Sequence, residues 1–235
     1  MDSDNKLILS DRLMKIADFV KKDSSIVDVG TDHGYVPIYL VENNICKKVI
    51  ASDISRDSLS KTVEMVEKKK LEEFIESRVG DGLTVIKPFE VNGAIMAGMG
   101  GILIEKILKK DKEITDSIDY FIFQPMIAAK ELRQYLIENN FTIVDEELSK
   151  DGSKFYEIIL AKKGKEALRE NIYYEISEKL IEKNHPLLAE FIENKINFVR
   201  LVMKDLKDKK SYRSLERYEQ LEEQLKEYME VLKSV

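Results

Sequence analysis

Three short glycine-bearing turns, each following an apolar run, constrain the fold of this chain more than any other feature. They lie at residues 27–35, 80–82 and 97–101 and together hold seven of the ten glycines. Glycine permits a positive φ angle and lets the backbone approach a ligand closely. Because ligands bind outside the carboxyl ends of the strands in an open α/β sheet, the pattern predicts one nucleotide-type pocket built from several strand-end loops.

The first turn follows a predicted buried strand at residues 25–29 and leads into a helix predicted over residues 35–43. Its spacing, D-x-G-x-x-x-G, differs from the G-x-G-x-x-G fingerprint of dinucleotide-binding domains. It is closer to the D-x-G-x-G-x-G turn of methyltransferases that use S-adenosylmethionine, with Asp32 in place of the middle glycine. A nicotinamide-dependent dehydrogenase is therefore the least favoured interpretation.

Acidic residues follow the next two predicted strands, at residues 48–52 and 76–79. Asp53 is spaced from the first turn so that it can accept hydrogen bonds from both hydroxyls of a ribose. Asp81 is placed to bind an adenine amino group. Asp28 is expected either to contact the cofactor or to hold the glycine turn through backbone amides. The ordered set D-x-G, D and G-D-G therefore predicts a nucleotide-type cofactor site.

Apolar runs alternate with helical patterns through the first 140 residues, which indicates a parallel sheet covered on both faces. The predicted strands are residues 25–29, 48–52, 76–79, 93–97 and 119–123, with Gln124-Pro125 ending the last, and the predicted helices include residues 11–21, 35–43 and 55–70. Extended runs at residues 141–149 and 154–161, joined by Lys-Asp-Gly-Ser, predict an antiparallel hairpin. The expected fold class is α/β, a Rossmann-like methyltransferase sheet closed by that hairpin.

The last 70 residues have a different pattern. No glycine follows Gly164, and apolar residues recur at helical spacing from Leu188 to Leu206 and from Leu215 to Leu232. Two long amphipathic helices with a short connection predict an antiparallel helical hairpin. We therefore expect a catalytic domain at residues 1–163 and a smaller all-α, coiled-coil-like domain at residues 164–235.

The charge distribution bears on nucleic-acid binding. The net charge is −6, which argues against a generally basic binder, but residues 195–213 hold seven basic residues against two acidic ones. This segment is either an ordinary solvated helix face or a phosphate-contacting patch that includes Lys207, Lys209 and Lys210.

Other functional classes are disfavoured by composition. The longest uncharged stretch has 14 residues and is too short to span a membrane. The acidic start does not resemble a secretory signal, and one cysteine fits a reducing compartment, so a cytoplasmic protein is expected. With two histidines and one cysteine, no metal site is expected.

Several motifs together resemble the bacterial tRNA (adenine-N1)-methyltransferases that modify adenine 22. They are L-S-D-R-L at residues 9–13, the turn at residues 28–37, G-D-G-L at residues 80–83, A-G-M-G-G at residues 97–101 and Q-P at residues 124–125. The resemblance runs through the whole chain. It implies a class I methyltransferase domain, a coiled-coil-like C-terminal domain, S-adenosylmethionine as cofactor, and 1-methyladenosine in the D-loop region of tRNA as product.

The resemblance also assigns site residues. It implies that the cofactor contacts are Asp28, Gly30, Asp53, Asp81 and Gly98, with their neighbours Ile54, Gly82 and Met99. Gln124 becomes a candidate substrate-binding residue, and so does Arg12, which could instead fix the first helix. Many relatives have asparagine after the Q-P pair, where this chain has Met126.

Methyl transfer to adenine N1 mainly requires alignment of the lone pair with the methyl carbon, so no strong base is needed. Positive charge develops on the base, and a nearby carboxylate would stabilise it. Asp32 is the candidate for that role, although it could instead only hold its turn through backbone amides. His33 is expected to touch the base or a phosphate, or to be an exposed loop residue. Tyr35 is expected to stack on the target base or to pack at the helix start.

Three functions remain open from the sequence. The first is a tRNA adenine-N1-methyltransferase, and the second is a class I methyltransferase acting on another RNA, a protein or a small molecule. The third is a non-enzymatic RNA-binding or scaffold protein, which the presence of Asp53 and Asp81 disfavours. The helical tail could pair within or between chains, and a monomer is favoured.

Overall fold

The structure, a computed structural model, describes residues 6–167, 170–207 and 211–235. The chain divides into two units, residues 1–168 and residues 169–235. The strands of the first unit are β1 (Ser24–Val29), β2 (Cys46–Asp53), β3 (Ile75–Val79), β4 (Gly93–Gly100), β5 (Tyr120–Ile127), β6 (Phe141–Asp151) and β7 (Lys154–Lys163). Its helices are α1 (Asp11–Asp18), α2 (Tyr35–Glu42), α3 (Arg56–Lys69), α4 (Gly101–Lys110), α5 (Lys112–Ser117) and α6 (Ala129–Glu138), with a 3-10 turn at Gly82–Val85.

The seven strands form one sheet in the order β3-β2-β1-β4-β5-β7-β6. Strands β1 to β5 pair in parallel, whereas β7 is antiparallel to both β5 and β6. The predicted parallel sheet closed by an antiparallel hairpin is thus confirmed. Because β1 to β5 are parallel, their carboxyl ends meet at one edge of the sheet, and the glycine turns and strand-end acids lie there.

Local side-chain caps set the starts of two helices. Ser10 accepts a hydrogen bond from the backbone N–H of Leu13 at the start of α1, and Ser55 does the same for Ser58 at the start of α3. Both caps satisfy N–H groups that have no partner inside the helix. Helix α1 was expected to reach residue 21 but ends at Asp18. The chain turns away there, and Asp23 has a positive φ of 63° before β1 begins.

The fourth and fifth strands are longer than predicted. Strand β4 continues through the G-M-G motif to Gly100, and β5 continues through Gln124-Pro125 to Ile127, so the expected end of β5 at that pair was wrong. The pairing between them shifts register between Ala97 and Met99. This irregularity removes Gly98 from the ladder and accommodates a proline, which cannot donate a ladder hydrogen bond. Helix α5 was not predicted at all.

The hairpin of β6 and β7 is anchored to α6 by a buried ionic cluster. Arg133 is 1% exposed, and its guanidinium bonds to both carboxylate oxygens of Glu146 and to Glu157 at 2.6 Å. A bidentate guanidinium–carboxylate pair fixes direction as well as distance. The hairpin turn is also tighter than expected, since the strands reach Asp151 and Lys154 and leave only two residues between them.

The second unit consists of α7 (Asn171–Glu175), α8 (Glu178–Glu182), α9 (Leu188–Lys207) and α10 (Tyr212–Leu232). Helices α9 and α10 pack together, which confirms the predicted pair of long helices. Glu175 of α7 accepts hydrogen bonds from Gln224 and Tyr228 of α10. Leu215, which the pattern assigned to the packing face, is 58% exposed instead.

Candidate active site

The turn after β1 is held by backbone hydrogen bonds to the neighbouring strand. The N–H groups of Gly30 and Thr31 both donate to the carbonyl of Ser52, at 2.8 and 2.9 Å. Gly30 has a φ of +78°, and a Cβ at this position would collide with the methyl group of Met99. The glycine therefore allows the left-handed backbone, and it leaves room for the end of the Met99 side chain.

An open cavity of about 520 Å³ lies between the ends of β1 and β4 and the start of α1. Its volume is in the range of small-molecule and cofactor sites. Its walls come from the segment around the start of α1, the first glycine turn and the end of β4. The lining residues are Ile8, Leu9, Ser10, Arg12, Leu13, Asp28, Gly30, Thr31, Asp32, Tyr35, Val36, Ala97 and Gly98.

Gly98 keeps one wall of this cavity open. It has a φ of +78°, and a Cβ built on it would meet no atom within 4 Å. The positive φ explains why a glycine stands here, and the open space beside its backbone leaves room for a ligand in the cavity. Met99, the next residue, turns instead toward Gly30 and does not line the cavity.

Asp28 is a buried carboxyl in the cavity wall, with 7% of its surface exposed. Burial raises its pKa from 3.8 to about 6, with a hydrogen bond from Thr31 opposing the shift and the charge of Asp53 adding to it. Among the described residues, no cationic side chain forms an ion pair with Asp28, and a buried carboxylate without such a partner is costly unless a ligand supplies the missing charge. The site therefore favours a ligand with a positively charged group next to Asp28.

Asp32, His33 and Tyr35 form an exposed cluster at the cavity. The Asp32 side chain is 75% exposed, and its carboxylate lies 3.4 Å from His33 Nε2. The His33 ring stacks on Tyr35 with centroids 5.3 Å apart and planes 12° from parallel. Within the described part of the chain, no backbone N–H donates to the Asp32 carboxylate, so the turn does not depend on it. The structure thus brings the three predicted catalytic residues together.

Gln124 holds Arg12 rather than facing the cavity. Its side chain is fully buried, and its Oε1 accepts a 2.6 Å hydrogen bond from Arg12 Nη1. The Gln124 amide nitrogen donates to the carbonyl of Pro125 and to the sulfur of Met126. Met126, which stands where relatives often have asparagine, therefore completes the hydrogen bonding of Gln124.

The remaining strand-end residues lie over β2 and β3. Asp53 accepts a 2.7 Å hydrogen bond from the N–H of Ser55, and Ile54 beside it is 71% exposed. Asp81 forms an exposed 2.7 Å ion pair with Lys110, which the sequence patterns did not predict. Gly82 starts the 3-10 turn and packs against Ile107. These residues lie along the same edge as the cavity but outside its lining.

Sequence reasoning missed part of the cavity wall. Ile8, which is 90% exposed, and Leu9 line the cavity from the segment before α1. Leu9 belongs to the L-S-D-R-L motif, but neither residue was assigned to the site, because only the tertiary structure brings this segment to the cavity. A second cavity of about 600 Å³ lies at the opposite edge of the sheet, near Tyr135, Phe141 and Lys163, and includes none of the strand-end loops.

Comparison with known proteins identifies the family. Residues 9–159 match the methyltransferase domain family. The tRNA (adenine(22)-N(1))-methyltransferase of Bacillus subtilis (strain 168) is 36% identical to this chain over 160 residues, which are 68% of this chain and 67% of that protein. The chain belongs to the tRNA (adenine(22)-N(1))-methyltransferase family. The resemblance inferred from the sequence motifs is confirmed.

Solved structures of the tRNA (adenine(22)-N(1))-methyltransferase family match nearly the whole chain. TrmK of B. subtilis, an m1A22 tRNA methyltransferase, has a TM-score of 0.87 at 26% identity and covers 96% of this chain and 99% of its own. TrmK of M. capricolum, solved with S-adenosyl-homocysteine, has a TM-score of 0.82 at 26% identity over 97% and 99% of the two chains. Both matches extend past the sheet into the helical unit.

Two negative findings apply to residues 6–167, 170–207 and 211–235. No group of three or more His, Cys, Asp or Glu side chains is placed there to hold a metal ion. None of the helices in these ranges combines the length and the apolar character needed to cross a membrane.

Proposed function

We propose that this chain transfers the methyl group of S-adenosylmethionine to N1 of adenine 22 in tRNA. The observation that carries the proposal is the exposed Asp32 carboxylate, which lies beside the stacked His33 and Tyr35 rings at an open cavity. A flat aromatic surface and a carboxylate are the two groups that a purine acquiring positive charge requires.

The strand-end residues fit a cofactor that combines a nucleoside with a charged amino acid. Asp53 offers a carboxylate at the end of β2, where a ribose is bound in sheets of this kind. The exposed Ile54 offers an apolar side chain for an adenine ring. Gly98 leaves free space in the cavity wall, and the Asp28 carboxylate is suited to an ammonium group. These four residues are the proposed cofactor contacts, with Gly30, Gly82 and Met99 shaping the turns around them.

Asp81 is proposed to bind the adenine amino group of the cofactor. Its ion pair with Lys110 joins two side chains that are both more than half exposed. Such pairs are only weakly held in water. Lys110 therefore leaves Asp81 available to a ligand at the end of β3.

For this reaction the protein has to align adenine N1 with the methyl group, and it does not have to transfer a proton. When bound, S-adenosylmethionine would supply a methyl group attached to a sulfonium sulfur. The thioether that remains after transfer is a good leaving group. Adenine N1 attacks through its own lone pair, so no residue has to remove a proton first. Tyr35 and His33 hold the base flat, and Asp32 stabilises the positive charge that spreads over the ring. Reaching the base requires that it be turned out of its stack.

The helical unit supplies candidate phosphate contacts. Arg200, Lys204 and Lys207 of α9 are exposed, and their i, i+4, i+7 spacing places them on one helix face. Lys195 does not belong to this face, because it lies 3.6 Å from Glu175 and over the Tyr228 ring. We propose that the α9 face binds tRNA phosphates. Lys209 and Lys210, which the sequence also suggested, lie outside the described residues.

Neutralising the α9 face is expected to weaken tRNA binding. Replacing Arg200, Lys204 and Lys207 by glutamine should lower the tRNA affinity roughly 10-fold or more and reduce the slope of log K against log[salt] by about 2, because fewer counterions are released. Affinity for S-adenosylmethionine should not change. The control replaces three exposed lysines by glutamine, Lys61 and Lys68 of α3 and Lys70 directly after it. Equal slopes for both triple variants would show that the α9 face is an ordinary solvated surface.

The proposed function is tested by nucleoside analysis. The full chain is incubated with labelled S-adenosylmethionine and an unmodified tRNA transcript, and the digested RNA is analysed. We expect 1-methyladenosine from this transcript and none when guanosine replaces the adenosine at position 22. Cofactor binding with methylation of another RNA, a protein or a small molecule would favour a different substrate. Failure to bind the cofactor would favour a non-enzymatic RNA-binding protein.

The same proposal sets the expected partner and compartment. The partner is tRNA, and because it is the substrate, we expect the protein to act in the cytoplasm. A monomer is the favoured state for a chain that carries both the cavity and the α9 face.

A further inference from the structure

The β6–β7 hairpin continues past its pairing with β5 at the carboxyl edge of the sheet, the edge that carries the proposed adenine site. Strand β7 pairs with β5 only from Ile159 to Ala161, so its first residues, from Lys154 on, project beyond this pairing at the carboxyl edge. At about 3.4 Å per residue the projection is roughly 17 Å long. The Arg133 cluster at its base keeps its direction fixed. The hairpin therefore lies at the same edge of the sheet as the candidate active site.

Two cationic side chains lie close to the ring of Tyr156, a residue of this hairpin. The guanidinium carbon of Arg12 lies 5.2 Å from the Tyr156 ring centroid, and Lys154 Nζ lies 5.1 Å from the same centroid. Both distances are within the range of cation–π attraction. Arg12 also lines the cavity. The ring thus links the wall of the cavity to an exposed lysine at the hairpin tip.

Neither cation has a carboxylate partner among the residues that the structure describes. In the described ranges, no Asp or Glu lies within ion-pair distance of Arg12 or Lys154, although Asp151 is opposite Lys154 on β6. The Glu147 carboxylate forms an ion pair with Lys15 at 3.1 Å. Each of these two cations can therefore still pair with an anion that a ligand brings. Arg12 uses one N–H for Gln124 and has further donors for an anion.

We propose that Arg12 and Lys154, positioned by the Tyr156 ring, bind a backbone phosphate of the RNA next to the target adenine. The inference rests on the proposed function, since it requires an adenine in the cavity that Arg12 lines. The anion is the one that every RNA substrate brings with it, and Lys and Arg are its usual partners. Lys154 and Tyr156 extend the substrate site from the cavity onto the hairpin.

The charge of Lys154 is tested against a matched lysine on the same strand. Lys162 lies eight residues further along β7, on the same face and also exposed, but roughly 27 Å away at the other edge of the sheet. Lys154→Ala should lower tRNA affinity about 10-fold and reduce the salt slope by about 0.7. Lys162→Ala should change neither, and both variants should bind S-adenosylmethionine as the wild type does.

The role of the ring is tested by two changes at Tyr156. Tyr156→Phe keeps the aromatic face and should retain wild-type tRNA affinity. Tyr156→Leu removes it and should weaken tRNA binding by a factor similar to that of Lys154→Ala, with an unchanged melting temperature as the control for folding. Equal affinities for the phenylalanine and leucine variants would overturn the positioning role of the ring.

The bound phosphate is located with neutral linkages. Two tRNAs carry a methylphosphonate either 5′ or 3′ of the target adenosine. Relative to unmodified tRNA, one of these tRNAs should bind the wild type more weakly but bind Lys154→Ala equally well. The reason is that the methylphosphonate and the Lys154→Ala substitution remove the same contact. Additive losses for both tRNAs, or equal salt slopes for the Lys154 and Lys162 variants, would overturn the inference while methylation by the wild type still stands. Absence of tRNA methylation by the wild type would overturn the proposed function itself.

Discussion

Replacing Asp32 by alanine is expected to lower kcat for tRNA methylation about 100-fold or more, while the affinity for S-adenosylmethionine stays within a few-fold of wild type. The Asp32 carboxylate is exposed at the cavity, and among the described residues it is paired with His33 alone and accepts no backbone amide of its turn. Its loss therefore removes a charge without removing a structural contact. The measurement is single-turnover kinetics at saturating tRNA, together with calorimetric titration of the cofactor.

A charge-selective variant sharpens this test. Asp32→Asn keeps a hydrogen-bond acceptor but removes the negative charge, so it should also be slow if charge stabilisation is the main contribution. The control is Asp57→Ala, an exposed acid in the first turn of α3. Turnover near wild type in the Asp32 variants would show that the residue has no catalytic role. A collapse of cofactor binding would show that the residue holds the turn or the cofactor instead.

Replacing Asp28 by asparagine is expected to stabilise the protein above pH 6 by up to about 3 kcal/mol and to weaken cofactor binding. The pKa of Asp28 is about 6 in the folded protein and near 3.8 in the unfolded chain. Between these values the folded state keeps a proton that the unfolded state releases. The contribution of Asp28 to the free energy of unfolding therefore falls as pH rises from about 4 to 6, and the penalty is fully present above pH 6.

The test compares unfolding by denaturant at pH 4.5 and pH 8 for wild type and Asp28→Asn. The difference between the two proteins should be larger at pH 8, because asparagine does not ionise. Asp18→Asn, at an exposed position, serves as the control and should show no such trend. A destabilised Asp28→Asn variant at pH 8 would contradict the prediction. If Asp28→Asn is more stable than wild type but binds the cofactor more weakly, Asp28 contributes to cofactor binding while it lowers the stability of the protein.

The candidate site could be predicted from sequence wherever residues adjoin a strand end. Asp53 and Gly98 carry that signal in their local pattern, and parallel strands bring their carboxyl ends to one edge whatever the details of packing. The cluster of Asp32, His33 and Tyr35 was predictable for the same reason, since all three lie in one turn. The contacts that cross between distant segments carried no such signal. Arg12 and Gln124 are 112 residues apart in the chain, yet share a hydrogen bond.

The amino-acid sequence by itself determined the alternating α/β order, the hairpin and the pair of long helices, because apolar periodicity and turn residues act over a few residues. Only the tertiary structure decided the extension of β4 and β5, since their ends depend on pairing with each other through a register shift. It also decided that the buried Gln124 accepts a hydrogen bond from Arg12, and that Arg12 and Lys154 lie close to the Tyr156 ring. Those arrangements depend on which side chains from separate elements meet, and no spacing along the chain encodes that meeting.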